Sequence, residues 1–303
     1  MAGAFTHWMI VEASLSNQLT FARLNPGHPL AVKIINYKPI AAIGAVSPDL
    51  PYLSLGDREW ADRMHYENIH FFAHQAISNL LIMKHNDDEG FAQCLAWFFG
   101  YISHVIADVV IHPIVTALVG TYLFNKTNHR HCEMIQDTYI YKNVTGNELI
   151  DANHLGVLPQ SLSSYVSDFW AKTLKKNHPN SGTPEPSSWY NMYRKALNLV
   201  DGRLPSIFYR ILDDIKLFYG ATKDFKRGGD DNDYQYIKDI PLPRSPRKVD
   251  FKEVFNIAVQ QVVRIWGEII ADLNNNDSQR CFSYIKNWNL DLGVDQGAQD
   301  LWT

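Results

Sequence analysis

The stretch Gly100-Tyr-Ile-Ser-His-Val-Ile-Ala-Asp-Val-Val-Ile-His-Pro113 places three ionisable side chains in an otherwise apolar run. His104, Asp108 and His112 follow one another at intervals of four residues. Residues four apart lie on one face of a helix, and that face turns by about 40° at each step because a helix has about 3.6 residues per turn. One helix can therefore offer ligands to two adjacent metal ions, with Asp108 in the middle able to bridge them.

These side chains would be costly to bury without partners. A hydrogen bond between a histidine and an aspartate four residues apart is the simpler explanation of either pair alone. A second series, His129, Glu133 and Asp137, repeats the same spacing further along the chain. Imidazole and carboxylate are ordinary zinc ligands, so the two series together favour a metal site between packed helices.

Apolar residues recur near the helical period through most of the chain, which predicts helices. The predicted helices cover residues 5–24, 58–85, 89–122, 127–142, 160–175, 189–220 and 249–273. The Pro- and Gly-rich residues 25–57 are expected to be mostly loop, with a short helix around 30–36. No segment alternates convincingly with period two. We therefore expect an all-α, multi-helix bundle with its metals bound between helices.

Residues 177–188 form the clearest linker, because they are rich in Pro, Ser and Asn. The linker follows a metal-binding helical core, residues 1–176, and opens a helical C-terminal extension, residues 177–303. We expect the extension to pack on the core as part of the same structural domain, either as a second helical layer or as a lid over the site.

The composition limits the classes of partner and site. The net charge is −4, so no general basic field attracts nucleic acid or an anionic membrane. The cysteines, Cys94, Cys132 and Cys281, are widely spaced and form no CxxC motif. Any zinc would therefore be held by histidine and carboxylate side chains.

The first residues, Met-Ala-Gly-Ala-Phe-Thr-His-Trp, carry neither the charged nor the apolar region of a signal peptide. A cytoplasmic protein is expected, with secretion by another route left open. Residues 91–124 are long enough to cross a bilayer, but ionisable groups at bilayer depth are costly. The three ionisable groups in their middle favour a buried core helix and no transmembrane segment.

The stretch from Gly100 to Pro113 also resembles the signature helix of the zinc-dependent phospholipase C family. That family includes the catalytic part of glycosylphosphatidylinositol-specific phospholipase D and is related in fold to the single-strand nucleases of the P1 type. Four more motifs resemble the family's, in its order, within residues 1–145: Thr6-His7-Trp8, Ala45-Val-Ser-Pro-Asp49-Leu-Pro-Tyr52, His65-Tyr66 and His129-Arg-His-Cys-Glu133-Met-Ile-Gln-Asp137. The four-residue spacing from Asp108 to His112 is similar to that of the phospholipase D-like branch.

The resemblance implies a set of zinc ligands. One zinc ion would be held by Asp49, His65, His104 and Asp108. A second would be held by His112, His129 and Glu133. A third, left open, would take His7 and the bridging Asp108. The secreted relatives complete that third site with an amino-terminal Trp, where this chain has Met1.

Other residues near these motifs have expected roles of their own. His70 and His74 compete with His65 for its place, and His65 is preferred because an aromatic follows it and because it lies closest after the aspartate loop. Asp137 is expected to accept a hydrogen bond that orients a ligand histidine. His131 is expected at the surface or beside the ligands, since residues two apart on a helix point about 200° away from each other.

The resemblance implies hydrolysis of a phosphodiester. Two zinc ions would clamp the phosphoryl group, and a metal-bound water would attack phosphorus with Asp49 as general base. A phospholipid is the expected substrate, with transient membrane contact. Tyr52 and Tyr66 would line the pocket or contact the headgroup, or else only pack.

Two other functions stay open. The first is a single-strand nuclease or another phosphodiesterase on the same fold, although nucleic acid is the less favoured partner because a basic groove is lacking. The second is a non-catalytic helical protein whose zinc is structural, with a closed tetrahedral site.

Overall fold

The computed structural model describes residues 3–16, 28–54, 56–85, 88–122, 124–149, 154–201, 231–295, 297 and 300–302. Helices dominate these residues, which confirms the predicted all-α fold. The α-helices are α1 (Ala4–Ser16), α2 (Pro29–Asn36), α3 (Lys38–Val46), α4 (Arg58–Tyr66), α5 (Ile69–Met83), α6 (Asp88–Val119), α7 (Lys126–Thr145), α8 (His154–Val157), α9 (Ser164–Asn177), α10 (Pro186–Asp201) and α11 (Phe251–Asn275).

Short elements complete the described part. Three 3-10 helices cover Ser47–Leu53, Asp231–Tyr236 and Arg280–Ser283. Two strands, β1 (Ile240–Pro241) and β2 (Lys248–Val249), pair antiparallel in a two-stranded sheet, with Ile240 opposite Val249.

Helix α6 runs through the centre of the fold. Residues from Leu95 to Ile111 are all buried, which suits a helix that is apolar on nearly every face. By length and composition, Glu89–Val119 could also cross a membrane, but most of its apolar window lies packed inside the fold. The helix therefore has the surroundings of a core helix, as its ionisable residues predicted.

Helix α3 crosses α6 with the two backbones in close contact. A Cβ on Gly44 would lie 2.0 Å from the carbonyl oxygen of Trp97, and a Cβ on Gly100 would lie 1.9 Å from that of Ala41. Only glycine fits at both points, because it has no Cβ. The crossing brings the end of α3 and the 3-10 helix Ser47–Leu53 beside α6.

Two helix predictions were wrong in detail. Residues 38–53 are helical instead of mostly loop. Their prolines do not break the helices, because Pro39 and Pro48 lie in the first turns of α3 and of the 3-10 helix. Proline is tolerated there, where its missing N–H has no helical partner to lose. The predicted single helix over 58–85 is divided into α4 and α5, because Asn68 adopts a left-handed conformation with φ 56°.

The C-terminal extension packs against the centre of the fold through α11. Trp266 donates a hydrogen bond from Nε1 to the carbonyl oxygen of Phe99 at 3.0 Å. The predicted helix over 249–273 is confirmed as α11. The predicted helix over 189–220 is described as far as Asp201, and its continuation lies outside the described residues.

Candidate metal centre

Four elements bring the candidate ligands together. Helix α6 supplies His104, Asp108 and His112, helix α1 supplies His7, the 3-10 helix Ser47–Leu53 supplies Asp49, and the last turn of α4 supplies His65. All are fully buried except Asp49, whose side chain is 22% exposed, and His112, at 2%. Asp49 is therefore the member of this group that faces solvent.

Helix α1 reaches the site by its first two turns. His7 Nε2 lies 3.3 Å from Asp108 Oδ1, and its ring stacks on that of His104 at 4.0 Å between centroids. The Asp137 carboxylate accepts hydrogen bonds from the backbone N–H groups of Phe5, at 3.1 Å, and Thr6, at 2.7 Å. Asp137 thus satisfies amides at the start of α1 that lack a helical partner, and it acts on the site through the backbone that carries His7.

The 3-10 helix is fastened to α6 by side-chain hydrogen bonds. Trp97 donates from Nε1 to Ser47 Oγ at 2.8 Å, and His104 donates from Nδ1 to the carbonyl oxygen of Ala45 at 2.8 Å. These bonds fix the turn that carries Asp49. Asp49 Oδ1 then lies 3.4 Å from His65 Nε2.

The tautomers of His65 and His104 follow from their backbone partners. Each ring donates from Nδ1 to a carbonyl oxygen, Ala61 at 2.7 Å for His65 and Ala45 at 2.8 Å for His104. A carbonyl can only accept, so Nδ1 carries the proton and Nε2 carries the lone pair in the neutral ring. The two Nε2 atoms lie 3.3 Å apart. Facing lone pairs at this distance require a cation between or beside them.

The charges around this pair favour a divalent metal ion over a shared proton. Asp108 Oδ2 lies 3.2 Å from His104 Nε2 and 3.9 Å from His65 Nε2, and Asp49 adds a second carboxylate. In each of two groups, three donor atoms lie within 4.8 Å of one another. One group is His7, His104 and Asp108; the other is Asp49, His65 and His104. His104 belongs to both groups. Nitrogen and carboxylate oxygen donors in this number fit zinc.

Several polar atoms in the centre have no hydrogen-bond partner among the described residues. They are both ring nitrogens of His7, Oδ1 of Asp49, Nε2 of His112 and Nδ1 of His129. A buried polar atom without a partner costs about 1–3 kcal/mol. Coordination of a metal ion would relieve that cost at the Asp49 oxygen and at one nitrogen of each histidine.

The electrostatics of the centre keep its carboxylates ionised and His7 neutral. For His104, burial lowers the pKa but Asp108 and Asp49 outweigh burial and raise it, so this ring would bind a metal ion in exchange for a proton. Burial, followed by the nearby charge of His104, lowers the pKa of His7 to about 4. Burial alone would raise the pKa of Asp49, but the adjacent ring of His65 and the charges of His104 and His7 lower it to about 2. Burial would also raise the pKa of Asp108, but the charges of His112, His104 and His7 outweigh burial and hold that pKa well below its usual range. Neutral imidazole and ionised carboxylate are the forms that bind metals.

His112 joins the centre from the next turn of α6. Its Nε2 lies 3.5 Å from Asp108 Oδ1, and its Nδ1 lies 3.4 Å from Oδ1 of Asp291. Burial would raise the pKa of Asp291, but the hydrogen bond and charge of His112 outweigh it and hold that pKa below its usual range. Sequence reasoning missed Asp291, because no histidine lies near it in the sequence and its partner His112 is remote.

His129 and Glu133 lie on α7, one turn apart, and both are buried. His129 Nε2 donates to the carbonyl oxygen of Gly120 at 2.6 Å, so its lone pair is on Nδ1. Burial lowers the pKa of His129, against the raising effect of Glu133. In the described part of the chain, no group of three donor atoms as close as the two above forms around His129 and Glu133. Their role in a second zinc site stays a prediction.

Tyr52 and Tyr66 flank His65, with ring centroids 5.7 Å and 5.9 Å from its own. Tyr52 donates its hydroxyl to Asp62 and Tyr66 donates its hydroxyl to Asp291, both at 2.8 Å. Burial raises the pKa of both phenols, and the neighbouring carboxylates add to the effect. Both therefore act as neutral donors at ordinary pH.

The other histidines of this region lie elsewhere. His70 and His74 pack against Phe282, with ring centroids at 5.5 Å and 4.9 Å, and His74 Nε2 also meets Ser278 Oγ at 3.3 Å. The structure thus brings His65, and neither of its two competitors, into the cluster. His131 is exposed and lies 2.7 Å from Asp233.

Comparison with known proteins agrees with this centre. The family model for zinc dependent phospholipase C matches residues 6–180, which is more than half of the chain and spans every candidate ligand from His7 to Glu133. No curated protein and no solved structure matches the chain. Members of the family are zinc-dependent enzymes of the phosphodiesterase class. The match, together with the buried cluster of histidine and aspartate side chains, means that the chain belongs to the zinc-dependent phospholipase C family.

Proposed function

We propose that the chain hydrolyses a phospholipid at its phosphodiester, in the manner of a phospholipase C. The observation that carries the proposal is the pair of Nε2 atoms of His65 and His104, 3.3 Å apart beside two carboxylates. Within the family, the four-residue spacing between Asp108 and His112 supports the branch that includes glycosylphosphatidylinositol-specific phospholipase D.

The proposed ligands fall into two main sets. Asp49, His65, His104 and Asp108 would hold one zinc ion, and His112, His129 and Glu133 would hold a second. His7 would take part in a third with Asp108, which the 3.3 Å distance between their side chains supports. Zinc, when bound, supplies Lewis-acid chemistry: it neutralises charge on phosphoryl oxygens and lowers the pKa of water to about 7.

Asp49 is the proposed general base. Its side chain is partly exposed, whereas those of His65, His104 and Asp108 are fully buried, so it can reach a substrate and the attacking water. With a pKa of about 2 it is ionised at neutral pH and can accept a proton at Oδ1 or Oδ2. A low pKa makes Asp49 a weak base. It can take a proton from the attacking water only if bound zinc has already lowered the pKa of that water.

The rim of the site suits an anionic headgroup. The rings of Tyr52 and Tyr66 stand beside His65, and Arg58 lies over the Tyr52 ring with its guanidinium carbon 5.4 Å from the centroid. A cation held over an aromatic ring near the centre offers a counter-charge to a phosphate. We propose that these three residues contact the substrate headgroup.

Two measurements test the function together. Elemental analysis should find at least two zinc ions per chain, and phosphatidylcholine, phosphatidylinositol and single-stranded DNA should be assayed side by side. Hydrolysis of a phospholipid is expected. Cleavage of DNA alone would favour a nuclease, and one zinc ion with no hydrolysis of the three substrates would favour a structural metal.

Asp49→Asn tests the proposed base. The amide keeps the shape and one ligand oxygen, so we expect most of the zinc to stay while turnover falls by about 10²–10⁴-fold. Asp168→Asn, on the exposed face of α9, makes the same charge change away from the site and should leave turnover unaltered. Full activity in Asp49→Asn would contradict the assignment.

A further inference from the structure

Residues 284–294 lie outside the stretch that the family model matches, yet they contact the metal centre. The backbone N–H of Leu290 donates to the carbonyl oxygen of His65 at 3.0 Å. The N–H of Ile69, at the start of α5, donates to the side-chain oxygen of Asn287 at 3.0 Å. The segment is therefore joined to the chain immediately before and after the α4–α5 break.

Residues 289–294 form a tight turn whose shape is fixed by its own hydrogen bonds. The N–H of Asn289 donates to the carbonyl oxygen of Val294 at 2.9 Å. The N–H of Gly293 donates to the carbonyl oxygen of Asn289 at 2.9 Å. The Asn289 side-chain oxygen also accepts from the N–H groups of Asp291, at 3.0 Å, and Leu292, at 3.1 Å. Asp291 thus stands on a backbone that is held in place.

The turn is seated directly on α6. Gly293 has a φ of 68°, and a Cβ there would lie 2.4 Å from Cγ of Pro113 and 2.5 Å from the carbonyl oxygen of Val109. The positive φ and the lack of space for a Cβ both require glycine at this position. Val109 and Pro113 lie on either side of His112 in sequence and in the same two turns of α6, so the seating sets the distance between Asp291 and His112.

The Asp291 carboxylate is engaged at both oxygens. Oδ2 accepts a hydrogen bond from the hydroxyl of Tyr66 at 2.8 Å, and Oδ1 lies 3.4 Å from Nδ1 of His112. A carboxylate that accepts a hydrogen bond from one ring nitrogen of a histidine keeps the proton on that nitrogen and leaves the lone pair on the other. For His112 the other nitrogen is Nε2, which faces Asp108 at 3.5 Å and has no hydrogen-bond partner among the described residues.

We infer that Asp291 is a positioning residue for the metal centre: it fixes the tautomer and ring orientation of His112, so that Nε2 presents its lone pair to a zinc ion. The inference rests on the proposed function in one respect, that His112 is a zinc ligand. It adds that a segment beyond the family match completes the centre. Partners of this kind typically change metal affinity by about 10–100-fold when they are removed.

Zinc binding to Asp291→Ala, Asp291→Asn and Tyr66→Phe tests the inference. Affinity is measured by competition with a chelator, and the ligand geometry by the visible absorption of the protein loaded with cobalt. For Asp291→Ala we expect the weakest-held metal to lose about 10–100-fold in affinity and the cobalt spectrum to change. Asp291→Asn should lose less, because its amide oxygen still accepts from Nδ1. Tyr66→Phe should show the smallest loss.

Asp295→Asn is the matched control, because it removes the same charge just beyond residues 284–294, where Asp295 Oδ1 accepts from the N–H of Gly297 at 2.9 Å. Its metal affinity and cobalt spectrum should equal those of the parent. The unfolding midpoint of each metal-free variant should stay near that of the parent. A purely structural role for Asp291 would instead lower the midpoint and leave the zinc affinity unchanged.

Two results would overturn the inference in distinguishable ways. A parent protein that binds zinc, with unchanged affinity and an unchanged cobalt spectrum in Asp291→Ala, overturns the role of Asp291 alone. A parent protein that binds no zinc overturns the proposed function and the inference together.

Discussion

The Nε2 atoms of His65 and His104 face each other at 3.3 Å, while each ring is tied from Nδ1 to a backbone carbonyl oxygen. Neither ring can turn away without losing its hydrogen bond inside the core. The donor atoms are therefore held in place by the fold, before any ion is present.

His104→Ala and His65→Ala should each lower the zinc content of the protein. Each ring has a single lone pair, on Nε2, because its Nδ1 donates to a backbone carbonyl oxygen, so each ring can bind only one metal ion. His131→Ala, which changes an exposed histidine, should retain the full zinc content in the same elemental analysis. Full zinc content in either cluster variant would contradict its place among the ligands.

Removal of zinc by a chelator should lower the thermal stability of the protein. A ligand that binds only the folded state contributes about 4 kcal/mol when its free concentration is 1,000 times its dissociation constant, which is on the order of 10 °C in melting temperature for a chain of this size. Differential scanning calorimetry before and after dialysis against chelator measures the change. Added zinc should restore the midpoint and added calcium should not, since calcium prefers oxygen ligands alone. Recovery with calcium would argue against a site rich in imidazole.

Gly44→Ala should damage both the fold and the metal centre. The added methyl group would lie 2.0 Å from the carbonyl oxygen of Trp97, so α3 must move away from α6. The same helix carries Ala45, whose carbonyl oxygen accepts from His104. We expect a loss of about 1–3 kcal/mol in the free energy of unfolding, together with weaker zinc binding.

Gly182→Ala supplies the control for Gly44→Ala, because a Cβ at Gly182 meets nothing within 4 Å. Urea unfolding and chelator competition should show it to be neutral in both respects. A Gly44→Ala protein as stable as this control would mean that the two helices can separate at no cost.

The cysteines should not react with thiol reagents in the native protein. Cys94, Cys132 and Cys281 form no disulfide in the described structure, and all three are buried. Burial raises the pKa of Cys281 to about 12 and that of Cys132 well above its usual value, so almost no reactive thiolate forms at pH 8. A colorimetric thiol assay should detect no free thiol at pH 8 and three thiols per chain after guanidinium is added. Rapid reaction of any one thiol in the native state would show local opening at that residue.

The helical centre of the site could be predicted from sequence because its signal is local. His104, Asp108 and His112 repeat at the helical period, so their shared face follows from the geometry of one helix. The same holds for most helices, whose apolar periodicity reflects burial on one side. The cluster itself also depends on Asp49 and His65, which the family resemblance supplied.

The remaining features depend on contacts between distant parts of the chain. Proline and glycine at 39, 44 and 48 suggested loop, whereas Pro39 and Pro48 begin helical turns and Gly44 permits a helix crossing. Asp291 carries no signal in its own neighbourhood, because its partners, Tyr66 and His112, are remote in sequence. A pattern within one window cannot report such pairs, since their spacing is set by tertiary packing.

The contacts around the centre also bear on the order in which the protein folds. The hydrogen bond between Tyr66 and Asp291 joins residues 225 apart, and that between Phe5 and Asp137 joins residues 132 apart. Closing such long loops carries an entropic cost before the contacts repay it, and folds rich in distant contacts form slowly. Zinc therefore meets its complete set of donors only after the chain has largely folded. The ion should slow unfolding far more than it speeds refolding, because the interactions that it adds are absent from the transition state.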